Sequence, residues 1–380
     1  MVSPGFGVRV AAALAAAALS SCGGRQSPAS TSAPPSAAEG SQVLNVYNWA
    51  DYIGHRTIAE FEQATHIKVV YQTYDSNETL EATLMVGHSG YDIVSTTTAF
   101  YGRQIGAGVY LPLDKSKLPN LENIDPAVLA VQAQVDPGNR YAVPYLHAMN
   151  GFVYEVNAIK ARMPDAPVDS LAMLFDPKVV SKFADCGVTF LDSPEDVIQL
   201  ALSFLHKDPN SRSLEDLQAA ERTVMAVRPY IRNFESNSYW TQLASKEICL
   251  AIAWSSDYSV AQARAREDGT GAQLAFTLPK EGSNITYNAF LIPASAPHPD
   301  AALKFLNFIL EPKIIAEITN DIHYGNDNLA ARPYVSKEIL DDPAVYPPPQ
   351  VRARLYLPVE LGAEYDRART RVWTRIKTGQ

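Results

Sequence analysis

The chain lacks most of the equipment that would mark it as a catalyst or a nucleic-acid binder. Its 32 Lys and Arg stand against 41 Asp and Glu, a formal net charge of −9. Such a balance disfavours nucleic acid and anionic membrane surfaces and mildly favours cationic ligands. The seven histidines show no metal-ligand spacing, so no metal site is expected. The glycines Gly102, Gly106 and Gly108 lack the Lys-Ser/Thr ending of a phosphate-binding loop. No Gly-x-Ser-x-Gly elbow occurs, and no cofactor is expected. No apolar stretch reaches the roughly 20 residues that cross a bilayer. Cysteine is scarce, at three residues in 380.

What is present at the start of the chain points to export. Arg9 precedes an alanine-rich apolar run over residues 10–19, about ten residues long, the size of a signal peptide's hydrophobic region. The run ends in Leu19-Ser20-Ser21-Cys22. This resembles a bacterial lipoprotein signal, which implies a signal peptide over 1–21, a lipidated Cys22 at the mature N-terminus and a periplasmic protein anchored to a bacterial membrane. An ordinary secretory signal with a chance cysteine is the alternative. Removing Arg9 takes the net charge from −9 to −10. The segment that follows, GGRQSPASTSAPPSAAEGS, is too poor in apolar side chains to offset its chain entropy. Residues 22–41 therefore read as the lipidated cysteine and a disordered tether.

The remainder, 42–380, is long enough for two domains. Cys186 and Cys249 form an even pair in an oxidising compartment and are expected as a disulfide; two buried free thiols are the alternative. VLNVYNW alternates as a strand, residues 57–65 read as a helix, IKVVYQTY as a strand, residues 80–86 as a helix and YDIVS as a strand. That order implies a parallel sheet with crossover helices, whose ligands gather at the carboxyl ends of the strands. In the middle of the chain, GVTFLDSPEDVIQLALSFL reads as strand, turn and helix, with a capping residue and proline at the helix entry. EICLAIAW is a buried-strand run, residues 289–293 a further strand, and residues 299–310 a helix.

The segments NVYNWADYI, FEQATHIKVVYQTYDSNETLEATLMVG, YDIV, GVYLPLDKSKLPN, YAVPY, CGVTFLDSPEDV, RPYIRNF, CLAIAWSSD, FTLPKEG, YPPPQVRARL and RTRVWTRIK occur in this order. Together they resemble the periplasmic putrescine/polyamine-binding proteins of bacterial ABC transporters, a solute-binding protein family. The resemblance implies an α/β, two-lobed periplasmic-binding-protein fold of type II-like architecture, with the ligand in the inter-lobe cleft. Lobe 1 would comprise 42–146 plus about 276–325, and lobe 2 about 147–275 plus 326–380. It further implies a non-catalytic receptor, acting as a monomer, that passes its ligand to an ABC permease and its ATPase.

A diamine is two ammonium groups on a methylene chain, so its site needs carboxylates at the ends and flat aromatic walls between. Positions that match the family's pocket meet that need. Trp49, Tyr52, Trp254 and Tyr324 supply walls, Asp51, Glu195 and Asp257 supply carboxylates, and Thr97 a hydroxyl. Three positions depart from the pattern. Ala50 replaces a serine, Thr286 a wall aromatic, and Asn288 an aspartate that pairs with an ammonium. Neighbouring Tyr287 is expected to swing in where the aromatic is missing. The expected ligand is therefore a polyamine or a related amine with one less strongly cationic end. A sensor for a different small amine is a second expectation. A secreted glycosidase using paired carboxylates such as Glu195 and Asp257 is a third, from another class.

Overall fold

The computed structural model describes residues 43–50, 52–74 and 76–380. The signal, Cys22, the tether and Asp51 lie outside the described residues. Ten strands carry the architecture: β1 (Val43–Trp49), β2 (Lys68–Tyr74), β3 (Ile93–Thr97), β4 (Val143–Glu155), β5 (Val188–Phe190), β6 (Asn233–Phe234), β7 (Leu250–Trp254), β8 (Leu274–Thr277), β9 (Ser283–Leu291) and β10 (Leu355–Tyr356). They bond in the order β2-β1-β3-β9-β4-β7-β5-β6, with β10 beside β9 and β8 beside β4.

β1 is parallel to β2 and to β3, as strand–helix alternation requires. Its Leu44 and Val46 are buried on one face, and Tyr47 packs on the other in a second cluster with Tyr74 and Val94, as alternation along a strand covered on both faces requires. The helix Thr57–Thr65 drives Phe61 into the core of Leu44 and Val46, edge-on to Phe305 at 5.0 Å between ring centroids. Full burial of such a side chain contributes about 1.5–3 kcal/mol. β9 enters antiparallel between β3 and β4, so the sheet is mixed and not parallel throughout.

Two main hydrophobic cores result. One draws on side chains from 44–146 and 290–345, the other on 152–274 and 361–376. This is a two-lobed α/β arrangement, the one the sequence resemblance implies. Ala331, Val335, Ile339 and Val345 pack in the first core, whereas the sequence places 326–380 in the second lobe. β4 links the cores. It pairs with β9 as far as Met149 and with β7 from Asn150 onward, so its neighbour changes within one residue step. Gly151 follows directly. A Cβ there would come within 2.2 Å of the Thr277 carbonyl oxygen, so only glycine lets β8 close on β4.

Past β5, the Ser193 side chain caps the helix Pro194–Phe204 by accepting the Asp196 N–H at 3.4 Å, with Pro194 in the first turn. This is the entry expected from the sequence, and it fixes where Glu195 and Asp196 stand. Cys186 and Cys249 are joined in a disulfide with a Cα–Cα distance of 5.5 Å. It ties a residue just before β5 to the residue just before β7. Closing a loop of 63 residues removes unfolded-state entropy worth about 4 kcal/mol in the chain-entropy model. The double substitution Cys186→Ala, Cys249→Ala is expected to lower the unfolding free energy by about 2–5 kcal/mol in a denaturant melt. The difference from the parent protein should vanish once that protein is reduced.

Candidate functional site

The residues singled out in the sequence gather along one face of β9. Successive side chains of a strand alternate between faces, so Asn284, Thr286 and Asn288 share a face, and Ile285 and Tyr287 point the other way. At one end of that face, Asn288 Nδ2 donates to the Tyr52 hydroxyl at 2.9 Å. Tyr52 is buried, with its backbone carbonyl accepting from the Tyr145 hydroxyl at 2.9 Å and from Asn48 Nδ2 at 3.1 Å. Its ring meets Tyr324 edge-on at 4.5 Å. Thr97, half-buried at the end of β3, stands opposite Asn288 in the β3–β9 register. Trp49, ending β1, packs on Tyr74 at 4.4 Å, and its buried Nε1 has no hydrogen-bond partner among the described residues. Ala50 follows in an exposed turn. Asp51 lies outside the described residues.

At the other end of the face, Asn284 Nδ2 donates to Asp196 Oδ1 at 3.2 Å. Asp196 Oδ2 accepts from the Trp254 indole Nε1 at 3.3 Å. Trp254 ends β7, and its backbone N–H donates to the Tyr239 hydroxyl at 3.2 Å. That hydroxyl in turn donates to Asp257 Oδ2, in the first turn of the helix Ser255–Glu267. Glu195, beside Asp196, accepts no hydrogen bond among the described residues. Thr286, half-buried, lies midway between the two ends.

The electrostatics of this second end are unusual for acids. Burial pushes Asp257 up to about 6, against the hydrogen bonds from Tyr239 and Ser256 that pull it down. Burial also pushes Glu195 up to about 7. Arg369 draws Glu195 down, while Asp196, Glu78 and Asp366 push it further up. Asp196 is raised by burial in spite of its four hydrogen-bonding neighbours. None of the three acids has a salt-bridge partner among the described residues. Low-dielectric carboxylates lacking a counter-charge favour either a proton or a bound cation. The described residues contain no group of His, Cys, Asp and Glu placed to hold a metal ion.

The structure thus brings Trp49, Tyr52, Thr97, Asn288 and Tyr324 together at one end, and Glu195, Trp254 and Asp257 at the other, with Thr286 between. Tyr287 does not replace the missing wall aromatic. It is buried on the opposite face of β9 with Val128, Met149 and Ile285, and its hydroxyl accepts from Arg352 at 3.1 Å. Asp196 and Tyr239 were missed. Asp196 had only the signal of adjoining Glu195 in a capped helix entry, and Tyr239 had none.

The family profile described as bacterial extracellular solute-binding protein matches residues 56–347. The chain belongs to that family. The putrescine-binding periplasmic protein PotF of Escherichia coli is 44% identical over 341 residues, covering 89% of this chain and 92% of that protein. The putrescine-binding periplasmic protein SpuD of Pseudomonas aeruginosa is 43% identical over 340 residues, covering 89% and 93%. The TpPotD lipoprotein of Treponema pallidum superposes with a TM-score of 0.77 at 26% identity, covering 89% of this chain and 100% of that one. This protein is accordingly a solute-binding protein, not an enzyme, and the glycosidase expectation is set aside.

The raised acids set the sign of a pH effect. A folded-state pKa above the unfolded value means the folded protein holds those protons more tightly. Its stability is then lost as pH rises from the ordinary carboxylate range through 6 and 7. Thermal melts of the ligand-free protein should show this fall between pH 4.5 and 7.5. The Glu195→Gln, Asp257→Asn double variant should flatten it, and an equal slope in both proteins would disprove the assignment.

Proposed function

We propose that this protein is an extracytoplasmic receptor that captures a polyamine, putrescine- or spermidine-like, or a related cationic amine, and delivers it to an ABC permease. The observation that carries this reading is the pair Glu195 and Asp257, raised by burial and lacking a salt-bridge partner among the described residues, with the Trp254 indole held on the Asp196 that adjoins Glu195. An ammonium group supplies the missing charge, and the aromatic walls cover its methylenes. The printed names of the relatives, putrescine-binding proteins of two bacteria, support the same ligand class. The protein is exported, held to a bacterial membrane by a lipid on Cys22, and acts as a monomer. Capture proceeds by closure of the two lobes on the ligand, with binding energy offsetting the cost of bringing them together.

The contacts at the other end set selectivity. Asn288 carries no charge, and its amide is engaged by the Tyr52 hydroxyl. The better ligand therefore has one strongly cationic end, held by Glu195 and Asp257, and a second end that is neutral, weakly basic or bulkier.

Calorimetry of the domain beginning at residue 42 against putrescine, cadaverine, agmatine, spermidine and amino acids tests this. At least one amine should bind and neutral amino acids should not; absence of any amine binding would defeat the proposal. Asp257→Asn should weaken the bound amine at least about tenfold, roughly 1.4 kcal/mol. Asn288→Asp should tighten putrescine, because an ionic partner for a desolvated ammonium is worth on the order of a few kcal/mol. Unchanged putrescine affinity in Asn288→Asp would remove this position as the source of selectivity.

A further inference from the structure

Two neighbouring acids at the start of the helix Pro194–Phe204 differ sharply in their surroundings. Glu195 accepts no hydrogen bond among the described residues. Asp196 accepts three from side chains on three different strands: Trp254 Nε1 of β7 at 3.3 Å, Asn284 Nδ2 of β9 at 3.2 Å and Asn150 Nδ2 of β4. We propose that Asp196 is a positioning residue of the cleft, which holds the Trp254 indole in place and ties it to the two strands that pass between the lobes.

The chemistry favours holding over ligand contact. A carboxylate offers about four lone-pair directions, and three of those of Asp196 are already taken. Three side-chain hydrogen bonds from three strands fix the carboxyl group itself, so the acid is a firm anchor for one indole N–H. Its own place is fixed by the Ser193 cap on its backbone N–H. Asn150 and Asn284 stand where β4 and β9 pair, next to the Met149–Ile285 step of the register. There the Ser283 hydroxyl also donates to the Asn150 carbonyl oxygen at 2.5 Å. Asn150 is opposite Trp254 in the β4–β7 register as well. The aromatic wall is thereby tied, through one carboxylate, to the residues at which the chain changes from one core to the other. Glu195 and Asp257, with free lone pairs, are left to meet a cation.

The affinity arm of the test rests on the amine-receptor reading; the spectroscopic arm needs no ligand. The protein has four tryptophans, so Trp254 fluorescence is taken as the difference between each protein and its Trp254→Phe counterpart. In the ligand-free state, Asp196→Asn should shift the Trp254 difference emission, because one amide oxygen cannot serve all three donors. In calorimetry with putrescine, Asp196→Asn should weaken binding about tenfold, and in the Trp254→Phe background less than about twofold, since the bond it supported is already gone. Asn284→Ala, a milder change that leaves Asp196 in place, should shift the emission in the same direction by less. It keeps the question answerable if Asp196→Asn does not fold. Unchanged Trp254 emission in these variants overturns the proposal, and so does an equal loss of affinity in both backgrounds, the result a direct ligand contact would give. Failure of the unaltered protein to bind putrescine would count against the ligand assignment alone, and the emission would still decide the role of Asp196.

Discussion

Carboxylates half withdrawn from water and without a salt-bridge partner among the described residues are the constraint on which this molecule turns. Glu195 and Asp257 are costly to ionise where they stand, and the fold meets that cost only in part. Asp257 receives a tyrosine hydroxyl, whereas Glu195 feels Arg369 only at a distance. A protein selected for stability alone would replace such groups with apolar side chains. Keeping them makes the empty receptor less stable than it need be, and under the proposed ligand assignment it gives an ammonium group something to repair. Affinity and lowered resting stability are therefore two readings of one electrostatic fact.

Much of the fold was legible because its early elements obey local rules. The alternation in Val43–Trp49 and the apolar stripe in Thr57–Thr65 fixed those elements to the residue, and the Ser193-Pro194 entry marked the start of its helix. β9 was read too short, as 289–293, while the strand runs Ser283–Leu291. The reason is instructive. Ser283, Asn284, Thr286 and Asn288 interrupt the apolar pattern that identifies a strand; Asn284, Thr286 and Asn288 lie on the face of the candidate site, and Ser283 bonds the Asn150 carbonyl across to β4. Local sequence rules failed where the site was being built, as expected of positions whose side chains are chosen for contacts and not for propensity.

The same logic explains the gaps in the site. Resemblance to a family finds positions that match its pocket, so Glu195, Trp254 and Asp257 emerged together. It is silent about side chains that hold those positions in place. Asp196 acts on Trp254 across 58 residues and Tyr239 on Asp257 across 18, separations at which no periodicity carries information. The orientation of Tyr287 was misjudged for a simpler reason: a neighbour in sequence on a strand is on the opposite face. Proximity along the chain was mistaken for proximity in space.

The passage of β4 and β9 between the cores side by side carries a mechanical meaning. Two antiparallel strands that are hydrogen-bonded to each other form a ribbon, not a pair of independent strings. Sliding one along the other would break several backbone bonds at once and turn every side chain to the wrong face. Bending or twisting the ribbon breaks none. In the proposed closure the lobes rotate about this ribbon without shearing, so each closing restores the same pairing of residues across the cleft. Recognition here does not depend on finding the right alignment anew, because the ribbon never lets it go.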